Sequence, residues 1–199
     1  MNKSKIITAA LLVAALFGKI TAQNTNWNLD KTHSYIGFSV EHMVVSETVG
    51  QFNEYGANIK SDKPDFTDVK GDITIQVASI DTKDPKRDGH LKSPDFFDAE
   101  KNPTIKFEIV QFKPLKGKEY KLVGNLTMHG ITRSVTLTAI FAGIVKDPYG
   151  NTRTGIKVTG DIDRYEYDLK YNATMEAGGM VIGKTVKITG NIELVKAKA

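Results

Sequence analysis

An alternation of apolar and polar residues recurs along most of this chain and limits what it can fold into. Ile36, Phe38 and Val40 alternate with Gly37, Ser39 and Glu41, and Val69, Ile73, Ile75 and Val77 with Lys70, Asp72, Thr74 and Gln76. The same period of two runs through Ile105, Phe107 and Ile109, through Tyr120, Leu122, Leu126 and Met128, and through Val135, Leu137, Ala139 and Phe141. It returns in Ile156, Val158 and Ile162, and again in Val186, Ile188, Ile192 and Leu194. Successive side chains of a strand point to opposite faces, so this pattern builds antiparallel sheet with one dry face. Gly130 lets the chain reverse between two segments, and Asp147-Pro148-Tyr149-Gly150 makes a tight turn between two others. About eight such strands in one domain predict an all-β fold, a single closed antiparallel barrel. Closure also removes exposed sheet edges. A β-sandwich is the competing architecture, because alternation alone does not separate the two.

Two intervals break the pattern. In 84–99, Pro85, the charged Lys86-Arg87-Asp88 and Ser93-Pro94-Asp95 predict one or two short helical turns, with Ser93 as a cap before Pro94. The second irregular stretch is 165–182. No linker or repeat divides the chain, so residues 23–199 read as one domain.

The first 22 residues read as a leader. Lys3 and Lys5 form a positive start, Ile6 to Phe17 is an apolar run broken only by Thr8, and Ala22 is a small residue before cleavage at Gln23. The run is too short to span a bilayer, which takes about 20 apolar residues. The expected location is therefore periplasmic or secreted. The whole chain has 27 Lys and Arg against 23 Asp and Glu, and losing Lys3, Lys5 and Lys19 with the leader leaves a net charge of +1. The remaining Lys are scattered singly and there are only four Arg, Arg87, Arg133, Arg153 and Arg164, so nucleic acid is not an expected partner. The absence of Cys removes thiol nucleophiles and thiolate metal sites.

Motifs that could carry chemistry are few. Gly178 to Thr185 matches the phosphate-loop pattern G-x-x-x-x-G-K-T literally, but that motif requires a helix opening at the Lys. Here Val186, Ile188 and Ile192 continue as a strand, so no nucleotide is expected. His33 and His42 are separated by roughly 30 Å if extended, His90 lies in the irregular segment, and His129 has the parity opposite to Met128. No close-spaced ligand pair exists, so neither a metal nor any other cofactor is expected, and the histidines read as groups that fix loops. No G-x-S-x-G elbow is present, so no catalytic residue is assigned. Arg87-Asp88 is either a surface ion pair or part of a charged rim at a barrel mouth. Phe96-Phe97 either plugs the end of a barrel or lines an entrance.

Several segments, in order, resemble the YceI-like family. They are His33-Ser34 with Ile36 to Met43, Val49 to Phe52, Arg87 to Asp98, Pro103 to Phe107, Gly124 to Thr132, and Asp163 to Tyr167. Glu166 departs from that pattern, standing where the family usually has glycine or a small polar residue. The resemblance spans Trp27 to Leu194. It implies a lipocalin-like barrel, periplasmic or secreted, holding a polyisoprenoid or similar long-chain lipid.

Water expels a long isoprenoid by roughly 0.8 kcal/mol per CH₂, so a carrier needs a dry lumen and no catalytic constellation. The expected ligand-binding wall comprises Ile36, Phe38 and Val40; Ile73 and Ile75; Phe96 and Phe97; Ile105 and Phe107; Leu122, Leu126 and Met128; and Leu137 and Phe141. Small inward positions at Gly71, Gly124, Ala139 and Gly190 favour residual space inside. An enzyme acting on a lipid-like substrate, or a binder of another apolar molecule such as a quinone or fatty amide, is the alternative. Membrane contact is expected to be transient at most, and a homodimer stays open.

Overall fold

A computed structural model describes residues 25–175 and 178–198, so the leader lies outside the described residues. The strands in chain order are β1 (Asn26–Leu29), β2 (Tyr35–His42), β3 (Ser46–Phe52), β4 (Tyr55–Lys60), β5 (Lys70–Gln76), β6 (Ile80–Asp81), β7 (Thr104–Pro114), β8 (Glu119–Met128), β9 (Ile131–Lys146), β10 (Thr152–Asp163) and β11 (Ile182–Lys196). All neighbours pair antiparallel. The order β1-β4-β5-β7-β8-β9-β10-β11 closes on itself through β1 and β11. The chain is a closed eight-stranded antiparallel barrel with one short helix.

Three of the staves are broken in two. β1 and β2 lie end to end along one edge of β11, Leu29 opposite Leu194 and Tyr35 opposite Asn191. A 3₁₀ turn at Lys31–His33 fills the break, capped by the Asp30 carboxylate on the Thr32 amide. β3 and β4 form the next stave, then β6 and β5. β6 ends its branch of the sheet, and helix α1 (Pro85–Lys92) follows and packs against it. Asp84 caps α1 by accepting from the Lys86 and Arg87 amides, with Pro85 in the first turn. Ser93 instead closes the C-terminal end, donating to the His90 carbonyl. Ser93 also caps the turn that follows, as expected before Pro94: its hydroxyl oxygen accepts from the Asp95 amide at 3.3 Å.

Register puts the apolar set on one face. Ile73 faces Phe107 and Phe107 faces Leu126, while Ile75 faces Ile105 and Leu122 faces Leu137. The alternate residues Lys106, Glu108, Lys121, Thr136 and Lys157 are exposed on the outer wall. Apolar-in, polar-out is the reverse of a membrane-spanning barrel. No helix among the described residues is long and apolar enough to cross a membrane.

Candidate functional site

The barrel encloses a cavity of about 560 Å³. Its wall is made by the inward residues of β2, β3, β4, β5, β7, β8, β9, β10 and β11, from Val40 and Val186 near one end to Ile59, Phe112 and Leu194 near the other. Of the residues expected to line it, Ile36, Phe38, Val40, Ile73, Ile75, Phe96, Phe97, Ile105, Phe107, Leu122, Leu126, Met128 and Leu137 do so. Phe141 does not. β9 runs on past the cavity floor, and the Phe141 ring lies 5.2 Å from Phe66 and 5.5 Å from Tyr120.

That floor is a filled aromatic cluster. Trp27 lies 4.9 Å from Phe66, and Phe112 stacks on Tyr120 at 4.4 Å. Phe66 comes from the β4–β5 loop, folded across the barrel end and fully buried. The Asp68 carboxylate fixes this loop by accepting from the Ser61 hydroxyl and the Asp62 and Lys63 amides. Nothing in the alternation pointed to Phe66, because a loop has no period. Phe112 was likewise hidden: a bulge between Ile109 and Gln111 turns Val110 outward and shifts the parity.

The small positions divide. Gly190 lines the cavity, whereas the space beside Gly124 is taken by the Phe107 ring and Ala139 is packed in the core. Gly71 has φ 135°, where a Cβ would strike the Asn58 carbonyl, so its reason is backbone geometry.

The polar groups of the cavity collect at the other end, where the lining residues Glu41, Lys86, Arg87 and Tyr171 are exposed and the wall reaches solvent. Helix α1 supplies Lys86, Arg87 and His90 to this mouth. Arg87 and Asp88 do not pair with each other. The Arg87 Nε donates to the Thr82 hydroxyl, which donates in turn to Asp88, and Arg87 also donates to the Thr82 carbonyl. Together they clamp α1 onto the end of β6, and Arg87 is part of the mouth. Across the opening, Tyr171 meets His90 and Phe96 edge-on or tilted, at 4.6 and 4.9 Å between ring centroids. His90 Nε2 lies 3.0 Å from Asp95. Phe96 and Phe97 thus line the entrance, with Phe97 6.5 Å from Phe52.

Arg164 organises the opposite rim. The residue is 4 % exposed, and its guanidinium forms no ion pair with a carboxylate among the described residues. It donates instead to the carbonyls of Gly183, Leu169, Tyr171 and Ile182, and lies over the Tyr165 ring at 4.7 Å. Burial lowers its pKa, but an arginine so hydrogen-bonded stays charged. Asn172 adds a second tie, its side chain bridging the Ile182 carbonyl and amide. Tyr167 beside it is fully buried, its hydroxyl has no protein partner, and burial pushes its pKa up to about 12. The His129 ring sits 3.0 Å from the Tyr167 carbonyl and fixes the β8–β9 hairpin to this segment.

A model of the YceI-like domain matches residues 27–194. The chain belongs to the YceI-like family. A UPF0312 protein of Staphylococcus aureus is 39 % identical over 170 residues, covering 85 % of this chain and 96 % of that protein. Among solved structures, the Campylobacter jejuni YCEI protein superposes with a TM-score of 0.69 at 27 % identity, covering 85 % of this chain and 96 % of that one. A polyisoprenoid binding domain from Saccharophagus degradans shares the fold with a TM-score of 0.65 at 15 % identity, covering 86 % and 98 %. In this YceI-like barrel three of the resembling segments meet at the mouth. Arg87 to Asp98 supplies most of α1 and the Phe96 turn, Gly124 to Thr132 the β8–β9 turn with the strand ends beside it, and Asp163 to Tyr167 the Arg164 rim.

Two other clusters lie away from the cavity. Ligand-type atoms of Asp30, His33 and Glu193 lie within 4.8 Å of one another. Arg153 already occupies that position, 2.7 Å from both carboxylates and 2.7 Å from Asp147. The phosphate-loop look-alike runs through Gly178 and Gly179, both at positive φ, into β11, and Lys184 pairs with Asp163 at 3.1 Å. No helix begins there, so no helix N-terminus faces a phosphate.

Proposed function

We propose that this barrel carries or sequesters a long apolar isoprenoid lipid in its lumen, in the periplasm or outside the cell, without transforming it. One observation carries the reading: an apolar cavity of about 560 Å³ whose polar groups are confined to a single mouth. That arrangement suits a molecule with a long hydrocarbon tail and one polar end. The S. degradans neighbour of the same fold is a polyisoprenoid binding domain, which favours the same class of ligand.

What supports a carrier over an enzyme is the state of the polar groups. Arg87 is engaged by Thr82, Arg164 by carbonyls and His90 by Asp95. None of these contacts is a nucleophile beside a base, the arrangement that acyl or proton transfer needs. Export rests on Lys3, Lys5, the apolar run and Ala22, and sequencing the N-terminus of the protein from its native cell tests it by finding Gln23 or Met1. Native mass spectrometry of the purified protein tests the rest. A retained isoprenoid supports the carrier, a quinone or fatty amide moves the ligand class, and turnover of an added lipid overturns the non-catalytic reading.

A further inference from the structure

The β2–β3 hairpin turns beside the cavity mouth, and its tip is unusual. Met43, Val44 and Val45 are 40 %, 70 % and 82 % exposed. Met43 and Val44 have φ of 52° and 61°, in the left-handed region that a β-branched residue rarely adopts. Val44 and Val45 themselves wall the recess beneath the tip, and its other lining residues, Ser39, Glu41, Ser46, Glu47, Thr185 and Lys187, are all polar, so the barrel offers the valines no apolar surface to cover. A second loop joins the tip. The Met43 amide donates to the Val181 carbonyl at 2.8 Å, and neighbouring Met180 is 49 % exposed. The lip is continuous with the cavity, since His42 and Ile182, paired in register, both line it.

We propose that this lip seats the barrel mouth reversibly on the surface of a lipid bilayer. A handful of apolar side chains is far too small for a stable interface between two copies, which takes more than about 1,000 Å². It is enough for weak, reversible insertion at the level of the headgroups. At the tip itself charge offers little attraction: Lys187 is paired with Glu47 at 2.5 Å and Glu41 adds a negative charge, while the exposed Lys86 and Arg87 lie elsewhere on the mouth. The contact at the tip is therefore apolar, and anionic lipid and salt should modulate it only weakly. A tail passing from bilayer to lumen at this position need not cross water. That purpose rests on the carrier reading, but the binding itself does not depend on what the cavity holds.

The chain has no Cys, so single labels report cleanly. The mature protein is made as Val45→Cys and, at the far end where Tyr149 is 89 % exposed, as Tyr149→Cys, each carrying an environment-sensitive dye. With vesicles of phosphatidylcholine, the label at position 45 is expected to shift to the blue and that at 149 to stay unchanged. Unlabelled Val44→Asn/Val45→Asn should lose about tenfold in vesicle partitioning. Its thermal midpoint and its content of cavity lipid should stay unchanged, because Asn suits the left-handed backbone at 44 and position 45 is 82 % exposed. Raising salt from about 0.05 to about 0.5 M should alter wild-type binding little. No co-sedimentation of the wild type, or a response at position 149 instead of 45, overturns the proposal. So does a solution dimer that the Asn pair converts to monomer, which would make a second copy the occupant. Vesicle binding with an empty cavity in native mass spectrometry would sink the carrier reading alone.

Discussion

At the floor of the barrel Trp27, Phe66, Phe112, Tyr120 and Phe141 meet ring against ring, while at the mouth His90, Phe96 and Tyr171 meet across a rim with open space beneath. Both ends draw on inward-facing apolar residues. The floor is filled because a loop delivers Phe66 and a bulge redirects Phe112, giving the rings one another to cover. The middle of the barrel has only the strands themselves, and opposite walls do not reach each other. Packed rings are covered by protein on every side, whereas a lumen wall has protein neighbours on one side and the cavity on the other, and this contrast can be tested.

The largest effect should come from the floor. Phe66→Ala is expected to cost about 3–5 kcal/mol in denaturant unfolding, equally in lipidated and delipidated protein, because the ring is enclosed by protein. A cost that vanished on delipidation would make the floor part of the lumen. Arg164→Met should come next, at about 1–3 kcal/mol, since the carbonyls of Leu169, Tyr171, Ile182 and Gly183 lose a buried donor. Hydrogen exchange should quicken in 169–175 and 178–183 before it does elsewhere among the described residues.

Phe107→Ala on the lumen wall should cost less, about 1–2 kcal/mol, and the cost should differ between lipidated and delipidated forms. Thermal midpoints with and without lipid extraction measure it, with Lys106→Ala on the outer face as the neutral control. Equal losses of several kcal/mol in both forms would mean a filled core at this level too. Lys106→Ala losing its lipid while Phe107→Ala kept it would mean the barrel is inside out.

The pH response should be smaller still and belongs to the outer wall near the floor. The Thr32 hydroxyl, His33 and Arg153 hold the Asp30 carboxyl well below its ordinary 3.8, and Arg153 with Asn151 does the same for Asp147. A depressed carboxylate contributes stability that is present above the ordinary value and lost as pH falls through the folded one. The midpoint should therefore decline below about pH 4. Asp30 raises His33 above its ordinary 6.5, so that contribution is present below 6.5 and fades as pH rises past the raised value. Arg153→Met should flatten the acid side; an unchanged acid profile would show that solvent screens these exposed groups. The smallest change is expected for Lys184→Ala, which should leave folding and lipid content unchanged within about 0.5 kcal/mol. Tight ATP binding lost in that variant would restore the phosphate loop.

Local order was legible wherever a physical rule repeats. Period two named the wall from Ile36 to Leu137, and Asp147 to Gly150 gave its turn directly. The short staves were harder to read. In β3 the inward positions include Gly50, seated against the Phe38 ring, while Val49 faces outward, so apolar residues do not mark the inner face. The helix in 84–99 was visible from Pro85 and the turn after it from Ser93 before Pro94, whereas the Asp84 cap that opens the helix was not singled out.

By itself the sequence determined an antiparallel sheet with one dry face and, through spaced motifs, the YceI-like family. Those are properties of neighbouring residues, and alternation encodes them without reference to the rest of the chain. Tertiary structure alone decided where the inside is full and where it is empty. Phe141 and Leu137 share a strand and a parity, yet one is covered by Phe66 and Tyr120 and the other faces the cavity. Whether an inward side chain meets protein or space depends on what the opposite wall and the end loops deliver, and that is set by closure of the barrel.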